Sequence, residues 1–492
     1  MTGIPDVTAS TTVRTRIEPA PSGSIHVGNA RTALYSWLFA RQHEGRFVMR
    51  IADTDAKRAT DENFRAVLKD FRWLGLNWDE GPEVEGPHGP YRQSERFGIY
   101  REKVQQLLDS GAAFKCYCTS EELEAARRLA QQEKRPPGYP GTCRDLTPEQ
   151  VAAHEAAGRE HSVRFRVPDS YRGEPSLSFD DVVRGTITTR LEQIQDFVIL
   201  RSDGTPTYQL AVTVDDLAME ISHIIRGEDL MASTPRQILI REALGTMERP
   251  VFAHLPLLVS PDGKPLSKRW GDVSVASYRE QGFLPEALLN YLALLGWSFD
   301  DKTNIFTVPD LIAKFSLERV ARNPAAFDVA KLEWLNGHYI RQLSVDELAD
   351  RLVPFCTGAG LPADTAEGRG LLRQVAPLLI ERLKRLDEVP PMVRFLFDRP
   401  APDDRALKVL QGQKDYLDEA ARLLDSLEKW TTHDIEETLR ALAVQRELKP
   451  KQAFQPIRAA ATGTLVSPPL FESLEILGKD ETVERLRSVR AN

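Results

Sequence analysis

The stretch that decides the fold is VRTRIEPAPSGSIHVGNARTALYSWLFAR, residues 13–41. Its first residues alternate between apolar or small side chains and arginines, which predicts a short strand. The Pro/Gly-rich run 19–23 must turn, and a helical pattern follows from Ala30 to Arg41. A strand, a turn and a helix start together predict a corner that binds phosphate, because a helix N-terminus offers N–H groups and the positive end of the dipole.

Three residues of this corner suit an anion site. Gly23 and Gly28 let backbone approach a ligand without an intervening side chain. His26 can donate a hydrogen bond to a phosphate oxygen as charge develops there. The alternative is a tight strand–helix connection with a structural histidine, and this stretch alone leaves both interpretations open.

The composition is that of an ordinary globular protein. The chain has 492 residues, 41% of them hydrophobic and 28% charged, which is enough for roughly three domains. It contains no run of 18 apolar residues and no signal-peptide pattern, so we expect no membrane span. Four cysteines in so long a chain indicate a reducing compartment, and we expect a cytoplasmic protein. The net charge of −8 neither suggests nor excludes nucleic-acid binding, which depends on local basic faces.

The N-terminal half alternates strand and helix patterns around a β-rich insertion. Residues 44–55 predict a second strand that ends in an acidic turn, and residues 61–76 and 97–111 predict helices. Residues 161–200 predict strands, and the apolar segment HIIRG, residues 223–227, predicts a strand followed by a helix over 235–245. Strand–helix alternation on both sides of β-rich sequence predicts a split α/β domain.

Three of the four cysteines bracket a short segment. Cys116 and Cys118 are separated by one residue, and Cys143 returns after a helical excursion. Three thiols in this arrangement suggest a structural Zn²⁺ site. The fourth ligand is not evident, and Tyr139, Asp145 or water could supply it. The alternative is a set of buried thiols without a metal.

Basic residues occur in two further places. The loop that contains PLSKR, residues 265–269, follows a turn at 261–263 and could clamp a polyphosphate, although basic residues alone are more often a solvated turn. From residue 283 onward helical periodicity dominates, and basic side chains there could face RNA or simply be solvated. These side chains are Arg382, Lys384, Arg385, Lys449, Lys451 and Arg458.

Together these motifs resemble glutamyl-tRNA synthetase of the bacterial type, a class I aminoacyl-tRNA synthetase. The resemblance rests on PAPSGSIHVG, RIADTD, HIIRGED and PLSKR in this order, and it covers essentially the whole chain. It implies an α/β fold in which a Rossmann-like catalytic domain is split by an inserted β-rich acceptor-binding domain and followed by an all-helical anticodon-binding region. The domains it implies are 1–115 and 206–258 (catalytic halves), 116–205 (acceptor-stem insertion), 259–335 (signature loop and stem contact) and 336–492 (anticodon binding).

The resemblance also implies a reaction and its partners. ATP, with Mg²⁺, and L-glutamate form a glutamyl-adenylate, and the glutamyl group then passes to the 3′ end of tRNA(Glu). Members of the family generally need bound tRNA before they activate glutamate. The substrate carboxylate is the nucleophile, so catalysis is positioning and charge stabilisation. We expect a monomer.

Matched residue by residue, the family implies roles for several positions. His26 and Lys268 are the catalytic residues. The ATP site comprises Pro19, Ser22, Gly23, His26, Gly28, Asn29, Ser267, Lys268 and Arg269. The amino-acid site comprises Arg16, Glu18, Ala20, Ala52, Tyr208, Val212 and Arg226. Arg382 lies near a position that reads the anticodon, and the zinc pattern falls on Cys116, Cys118, Tyr139 and Cys143.

Departures from the family pattern gather around the amino acid. Glu18 and Ala20 stand where the family usually has Ala and Ser, Ala52 replaces a Glu near the substrate ammonium, and Val212 replaces an Asn. Pro265 also replaces the lysine that usually begins the second signature. We hypothesise a compensated swap in which Glu18 resupplies the carboxylate lost at Ala52, because an ammonium in a closed pocket needs a partner.

Other interpretations remain open at this point. A paralogue could charge glutamine or another amino acid, or glutamylate tRNA(Gln) as well, since altered polar groups shift specificity strongly. A protein that binds tRNA without charging it is a second alternative, against which the retained His26 and Lys268 argue. Activation of an amino acid for a small-molecule or protein acceptor is a third, which the long helical C-terminal region disfavours.

Overall fold

The computed structural model describes residues 12–55, 59–134, 138–264, 266 and 273–489. The chain forms two compact units. Unit 1 takes in residues 1–276 and 289–328, and unit 2 takes in residues 277–288 and 329–492.

In the described ranges the strands all belong to unit 1. They are β1 (Arg14–Ile17), β2 (Arg46–Met49), β3 (Ala113–Cys116), β4 (Ser162–Phe165), β5 (Ser176–Asp181), β6 (Gly185–Arg190), β7 (Phe197–Leu200), β8 (His223–Gly227), β9 (Val251–Leu255), β10 (Leu258–Val259) and β11 (Ala325–Ala326). The helices up to residue 314 are α1 (Val27–Gln42), α2 (Asp61–Trp73), α3 (Phe97–Asp109), α4 (Ser120–Gln132), α5 (Pro148–Ala156), α6 (Leu191–Ile194), α7 (Tyr208–Ala218), α8 (Thr234–Ala243), α9 (Val275–Glu280), α10 (Pro285–Leu294) and α11 (Val308–Lys314).

The predicted strands and helices of the N-terminal half are present. Most have shorter bounds than predicted, whereas α1, predicted from Ala30 to Arg41, extends from Val27 to Gln42. The second strand ends at Met49, before the acidic turn that closes the pattern of residues 44–55. Beyond Met49 the Arg50 N–H still donates to the Ile17 carbonyl oxygen at 3.1 Å, and Ile51 forms an isolated bridge to Arg92. The helix predicted over 61–76 ends earlier, at Trp73. The chain turns just after it, at Gly75, whose φ is 73°.

Parallel strands form the centre of unit 1. β1 pairs with β2 in parallel, and α1 makes the crossover that a parallel pair requires. On the other side of β1, the Ser222 N–H donates to the Arg14 carbonyl oxygen at 3.0 Å, which brings β8 alongside. Helix α1 is buried on most sides, including Leu34, Tyr35 and Leu38, and its buried residues include the polar side chains of Arg31 and Ser36. It therefore lacks the continuous polar stripe of a surface helix.

The inserted segment contributes to two sheets. One is the antiparallel sheet β3-β4-β7, and the other has the order β6-β5-β9-β8. In the second sheet β5 and β6 form a hairpin whose end joins β9 in parallel, with Asp181 opposite Phe252. The insertion is therefore fused to the catalytic sheet at Asp181, which the sequence pattern did not indicate.

Unit 2 is helical, as the periodicity predicts. Its helices from residue 329 onward are α12 (Val329–Ile340), α13 (Val345–Gly358), α14 (Ala366–Leu379), α15 (Val389–Val393), α16 (Asp404–Leu410), α17 (Lys414–Asp425), α18 (Thr432–Gln445), α19 (Pro450–Thr462), α20 (Leu470–Leu477) and α21 (Lys479–Arg487). Two apolar clusters form its core, one over residues 284–393 and one over residues 406–486. Across the described ranges, every helix is too short or too polar to span a bilayer.

Candidate active site

A cleft opens at the carboxyl ends of β1 and β8, beside the start of α1. This is the edge at which open α/β sheets bind ligands. Eight of the predicted site residues line it, namely Arg16, Glu18, Pro19, His26, Gly28, Asn29, Tyr208 and Arg226. Its described lining does not include five others, namely Ala20, Ser22, Gly23, Ala52 and Val212.

His26 caps the helix that begins at the cleft. Its Nδ1 accepts a hydrogen bond of 3.0 Å from the Gly28 N–H, so a neutral His26 carries its proton on Nε2, a donor suited to phosphate. A Cβ on Gly28 would lie 3.2 Å from His26 Nδ1, so Gly28 leaves room for the imidazole as much as for a ligand. The first turn of α1 has no acidic residue to oppose an anion.

The helix N–H groups are less available than the sequence suggested. The Val27 N–H donates to the Val273 carbonyl oxygen at 3.0 Å, and the Gly28 N–H is taken by His26. What this corner offers to an anion is therefore more the His26 side chain and the helix dipole than open backbone donors.

An aspartate that the sequence analysis missed holds the turn before α1. Asp70 of α2 accepts from the Ser24 hydroxyl at 2.5 Å and from the Ile25 N–H at 3.0 Å. The turn itself depends on Gly23, whose φ of 118° is disfavoured for residues with a Cβ. Asp70 is a buried acid on the apolar face of α2, and that break in the helical pattern was the available signal.

Arg226 supplies a buried cation in the cleft. It is 3% exposed, and among the described residues no carboxylate forms an ion pair with it. Its Nε donates to His254 Nε2 at 3.1 Å, its Nη2 to the Thr234 hydroxyl at 2.8 Å, and its Nη1 lies 3.4 Å from the Tyr208 hydroxyl. Burial lowers the pKa of Arg226, which is the cost that a bound anion would offset.

Arg16 differs from Arg226 in that it already has a carboxylate partner. Its Nε donates to Asp216 Oδ1 at 3.1 Å, and both side chains are buried. Of the two predicted carboxylate-binding arginines, Arg226 is therefore the one that no carboxylate of the described residues pairs with.

A buried ionic network lies under the cleft. Its cations are Arg16, Arg50 and Arg96, and its carboxylates are Glu18, Asp215 and Asp216. Three charges of each sign balance, as burial requires. Four of these six residues were not predicted, and the acidic pair 215–216 inside an otherwise apolar helix was the signal for them.

Glu18 connects this network to the cleft. Its Oε2 accepts from Arg50 Nη2 at 2.6 Å, and its Oε1 accepts from Gln93 Nε2 at 2.8 Å. Burial raises the pKa of Glu18, and although Arg50 and Arg16 oppose that effect, the pKa stays above its usual value. A carboxylate oxygen has more than one lone-pair direction, so each can accept a further donor from a ligand.

Three further departures from the family pattern, Ala20, Ala52 and Val212, lie outside the described cleft lining. The Ala52 N–H donates to the Pro19 carbonyl oxygen at 3.1 Å, so position 52 adjoins the residue after Glu18. Ala20 is exposed, and Val212 is fully buried in α7.

Residues Pro265, Ser267, Lys268 and Arg269 of the second signature lie outside the described residues. Their neighbours are described. Leu266 lines the cleft, and beyond the signature Val273 bonds to Val27 while the Val275 N–H donates to the Ile25 carbonyl oxygen at 2.9 Å. Leu266 lines the same cleft as the first signature, and Val273 bonds directly to that signature.

The three cysteines of the insertion converge. The sulfurs of Cys116, Cys118 and Cys143 lie within 4.8 Å of one another, and no disulfide joins them. The Tyr139 hydroxyl is 3.6 Å from Cys116 Sγ and accepts from the Cys143 N–H at 2.8 Å. Asp145 is exposed and bonds to Arg166 at 2.8 Å.

The pKa values of two thiols in this cluster are shifted in opposite directions. Burial and the negative charge of Cys116 raise the pKa of Cys118 to about 12. Burial alone would also raise the pKa of Cys116, but hydrogen bonds from the Cys118 backbone and Tyr139 hold it below its usual value. The three sulfurs can all be thiolates only if a cation neutralises them.

Arg382 lies in unit 2, on the surface after α14. Its positive charge lowers the pKa of Arg458, after the larger effect of burial. Arg458 donates to the Pro468 carbonyl oxygen at 2.7 Å, in the segment before α20. The two arginines therefore form a local basic patch.

Comparison with known proteins gives a consistent result. Residues 12–334 match the family model for class I tRNA synthetases (E and Q), catalytic domain, and residues 347–490 match the anticodon binding domain model. The chain is 45% identical over 483 residues to the glutamate–tRNA ligase of Symbiobacterium thermophilum, covering 96% of this chain and 99% of that one. It is 45% identical over 493 residues to the glutamate–tRNA ligase of Nocardioides sp., covering 97% and 98%.

A solved structure agrees with these sequence matches. It is the crystal structure of a glutamate tRNA ligase from Elizabethkingia meningosepticum in complex with its amino acid, at a TM-score of 0.83 and 30% identity. The match covers 98% of this chain and 100% of that chain.

Proposed function

The chain belongs to the class I tRNA synthetases for glutamate and glutamine, and on that premise we propose how its cleft selects and activates glutamate. The enzyme is an aminoacyl-tRNA ligase that joins glutamate to tRNA at the expense of ATP. It combines a class I catalytic domain with a helical anticodon-binding domain.

Two successive transfers make up the reaction. The glutamate α-carboxylate attacks the α-phosphorus of ATP, and pyrophosphate leaves. A ribose hydroxyl at the tRNA 3′ end then attacks the glutamyl carbonyl, and AMP leaves. No protein nucleophile is needed, so the chain contributes positioning and charge stabilisation. Mg²⁺ accompanies ATP and neutralises phosphate charge.

The observation that carries the proposal is the pairing of opposite charges in one cleft. Arg226 offers a buried guanidinium that no described carboxylate pairs with, and Glu18 offers a largely buried carboxylate with accepting capacity left. A cation for a carboxylate and an anion for an ammonium together fit an amino acid. Tyr208 adds a hydroxyl beside Arg226, and Arg16 adds positive charge.

The compensated swap explains why Glu18 stands where the family has alanine. Arg50 and Ala52 follow β2 directly, and the Arg50 N–H donates to the Ile17 carbonyl oxygen at 3.1 Å, so both face the end of β1. Moving the carboxylate from position 52 to position 18 keeps it within the same small region. It also balances the charges of the buried network.

His26 is the proposed phosphate donor on the other wall of the cleft. Its Nδ1 is fixed by Gly28, and Pro19 and Asn29 line the same wall. Lys268 is the proposed partner on the second signature, and the bonds from Val273 and Val275 to the first signature support that role.

We also propose a structural zinc site in the insertion. A tetrahedral Zn²⁺ with bonds of about 2.3 Å to sulfur sets its sulfurs about 3.8 Å apart. The Cys118 and Cys143 sulfurs are 3.6 Å apart, which fits. Tyr139 is the proposed fourth ligand and Asp145 is not, because Arg166 holds the Asp145 carboxylate. The metal would close the loop between Cys118 and Cys143 and supply no chemistry to the reaction.

The proposed tRNA partner is tRNA(Glu), and the anticodon contact is the Arg382 patch. The nearby charge of Arg458 and the surface exposure of Arg382 support this. In a tRNA-binding assay, Arg382→Ala should weaken affinity and reduce the salt dependence, whereas Arg405→Ala, an exposed arginine elsewhere in unit 2, is the matched control. Equal losses in both variants would show a general charge effect. The monomeric state and cytoplasmic location stay predictions.

The test of the amino acid is ATP–pyrophosphate exchange across all twenty amino acids, with and without total tRNA. We expect exchange with glutamate that depends on tRNA. Exchange with a different amino acid, and none with glutamate, would contradict the pocket assignment. A tRNA gel shift without any exchange would indicate a binding protein.

A further inference from the structure

The guanidinium of Arg226 is hydrogen-bonded to a residue that does not line the cleft. Its Nε–H donates to His254 Nε2 at 3.1 Å. His254 lies on β9, is fully buried, and is not among the described residues that line the cleft. An arginine side chain is long and flexible, so this contact bears on where the guanidinium points.

The contact fixes the protonation of His254. A guanidinium N–H can only donate, so His254 Nε2 must present a lone pair. The proton of the neutral imidazole is then on Nδ1, and Nδ1 lies 2.6 Å from Asp181 Oδ2. Burial lowers the pKa of His254 and outweighs the opposing effect of Asp181, which agrees with a neutral ring.

Asp181 is itself fixed by further donors. Its Oδ1 accepts from the backbone N–H groups of Val183 and Arg184 at 3.0 and 2.8 Å, and its Oδ2 also accepts from the His254 N–H at 3.0 Å. Burial would raise the pKa of Asp181, but these donors and His254 hold it below its usual value. The carboxylate is thus charged, 4% exposed and unable to rotate without losing bonds.

We infer that Asp181 and His254 are positioning residues that orient Arg226 toward the side-chain carboxylate of the substrate. They thereby set the preference for glutamate over glutamine, which lacks that carboxylate. The chain of contacts is Asp181 Oδ2 to His254 Nδ1–H, and His254 Nε2 to Arg226 Nε–H. This inference rests on the proposed role of Arg226 in holding the amino acid.

The chain of contacts begins in the inserted segment. Asp181 is the last residue of β5, and it lies opposite Phe252 where the insertion joins the catalytic sheet. The orientation of the amino-acid pocket therefore depends on a carboxylate that the inserted segment supplies. If the Asp181–His254 pair served packing alone, His254 Nε2 would not need to accept a hydrogen bond from Arg226.

The test compares two substitutions at one position in the full-length enzyme with tRNA present. His254→Gln keeps an acceptor near the place of Nε2, and His254→Leu removes it. We expect His254→Leu to raise the glutamate KM about tenfold or more and to reduce the preference for glutamate over glutamine. The ATP KM should stay nearly unchanged, and His254→Gln should restore most of the glutamate KM.

Two further variants separate the possible failures. Arg226→Lys tests the proposed function itself, because an unchanged glutamate KM there would refute the role of Arg226. If Arg226→Lys raises the glutamate KM while His254→Leu does not, the positioning inference is overturned. His223→Leu is the matched control, since His223 is a second largely buried histidine in the same sheet and bonds to Ser222 at 2.9 Å, outside the cleft lining.

A further variant covers the case in which His254→Leu fails to fold. If His254→Leu does not fold, His254→Met replaces it, because methionine adapts to irregular buried space. Equal changes in the KM for glutamate and ATP in both the Gln and Leu variants, together with equally lowered melting temperatures, would show a structural role and overturn the inference.

Discussion

The backbone N–H of Val27 donates a hydrogen bond of 3.0 Å to the carbonyl oxygen of Val273. Val27 is the first residue of α1, next to the capping His26, and Val273 follows the second signature. His26 and Ser274 also form an isolated antiparallel bridge. Two segments almost 250 residues apart in sequence therefore meet at the start of one helix.

The position of His26 at this contact between the two signature segments leads to a prediction about its substitution. His26→Ala should lower kcat for pyrophosphate exchange about 10²–10³-fold, because a donor aimed at developing phosphate charge acts mainly in the transition state. The glutamate KM should change little. The measurement is exchange at varied ATP and glutamate, with the exposed His433→Ala as the control. A rise in KM alone would indicate that His26 only caps the helix.

The compensated swap predicts a rescue. Glu18→Ala should raise the glutamate KM about 10–100-fold, because the substrate ammonium loses a charged partner. The double variant Glu18→Ala with Ala52→Glu should recover most of that loss, since it restores the usual family arrangement. Steady-state exchange measures both. An unchanged KM in Glu18→Ala, or no recovery in the double variant, would contradict the swap.

The environment of Glu18 predicts a pH effect on substrate binding. Burial raises the pKa of Glu18, so its carboxyl becomes neutral at a higher pH than an ordinary glutamic acid. A neutral carboxyl cannot pair with the ammonium, so the glutamate KM should rise as the pH falls. Because the pKa is raised, this rise should begin above the usual range near about 4.3.

The matched variant for this prediction is Glu18→Gln, which has no titrating carboxyl. Its glutamate KM should be higher but flat over the same interval. The ATP KM of the parent enzyme, measured in the same buffers, accounts for effects elsewhere. The same slope in both proteins would assign the titration to another group.

The cysteine cluster predicts metal content. The purified chain should carry about one zinc, and Cys143→Ser should lose it and lower the melting temperature, because the metal closes a loop of the insertion. Tyr139→Phe should weaken zinc retention, whereas Asp145→Asn should not, since Asp145 is bonded to Arg166. Elemental analysis after dialysis against a chelator distinguishes these variants. Loss of zinc in Asp145→Asn, but not in Tyr139→Phe, would identify Asp145 and not Tyr139 as the fourth ligand.

Several features of this protein were predictable from sequence because they depend on local pattern. The strand–turn–helix corner at 14–42 follows from alternation, Pro and Gly punctuation, and helical spacing. The helical C-terminal region follows from periodicity, and the family follows from four short motifs in order. The grouping of three cysteines was also visible, because their spacing allowed one small loop.

Other features depend on contacts between segments far apart in the chain. No local pattern indicated that Asp70 would hold the first signature, or that Asp215 and Asp216 would balance three arginines under the cleft. The link from Asp181 through His254 to Arg226 joins three separate strands, and it exists only because β5 and β8 both lie against β9.

The sequence by itself determined the family, and through that resemblance it predicts which residues hold ATP and glutamate. Only the tertiary structure decided how they act. Within the described part of the chain, Arg16 pairs with Asp216, whereas Arg226 pairs with no carboxylate. The first N–H groups of α1 donate to Val273 and His26. The physical reason is that burial fixes which charges are paired, and burial is a property of the assembled fold.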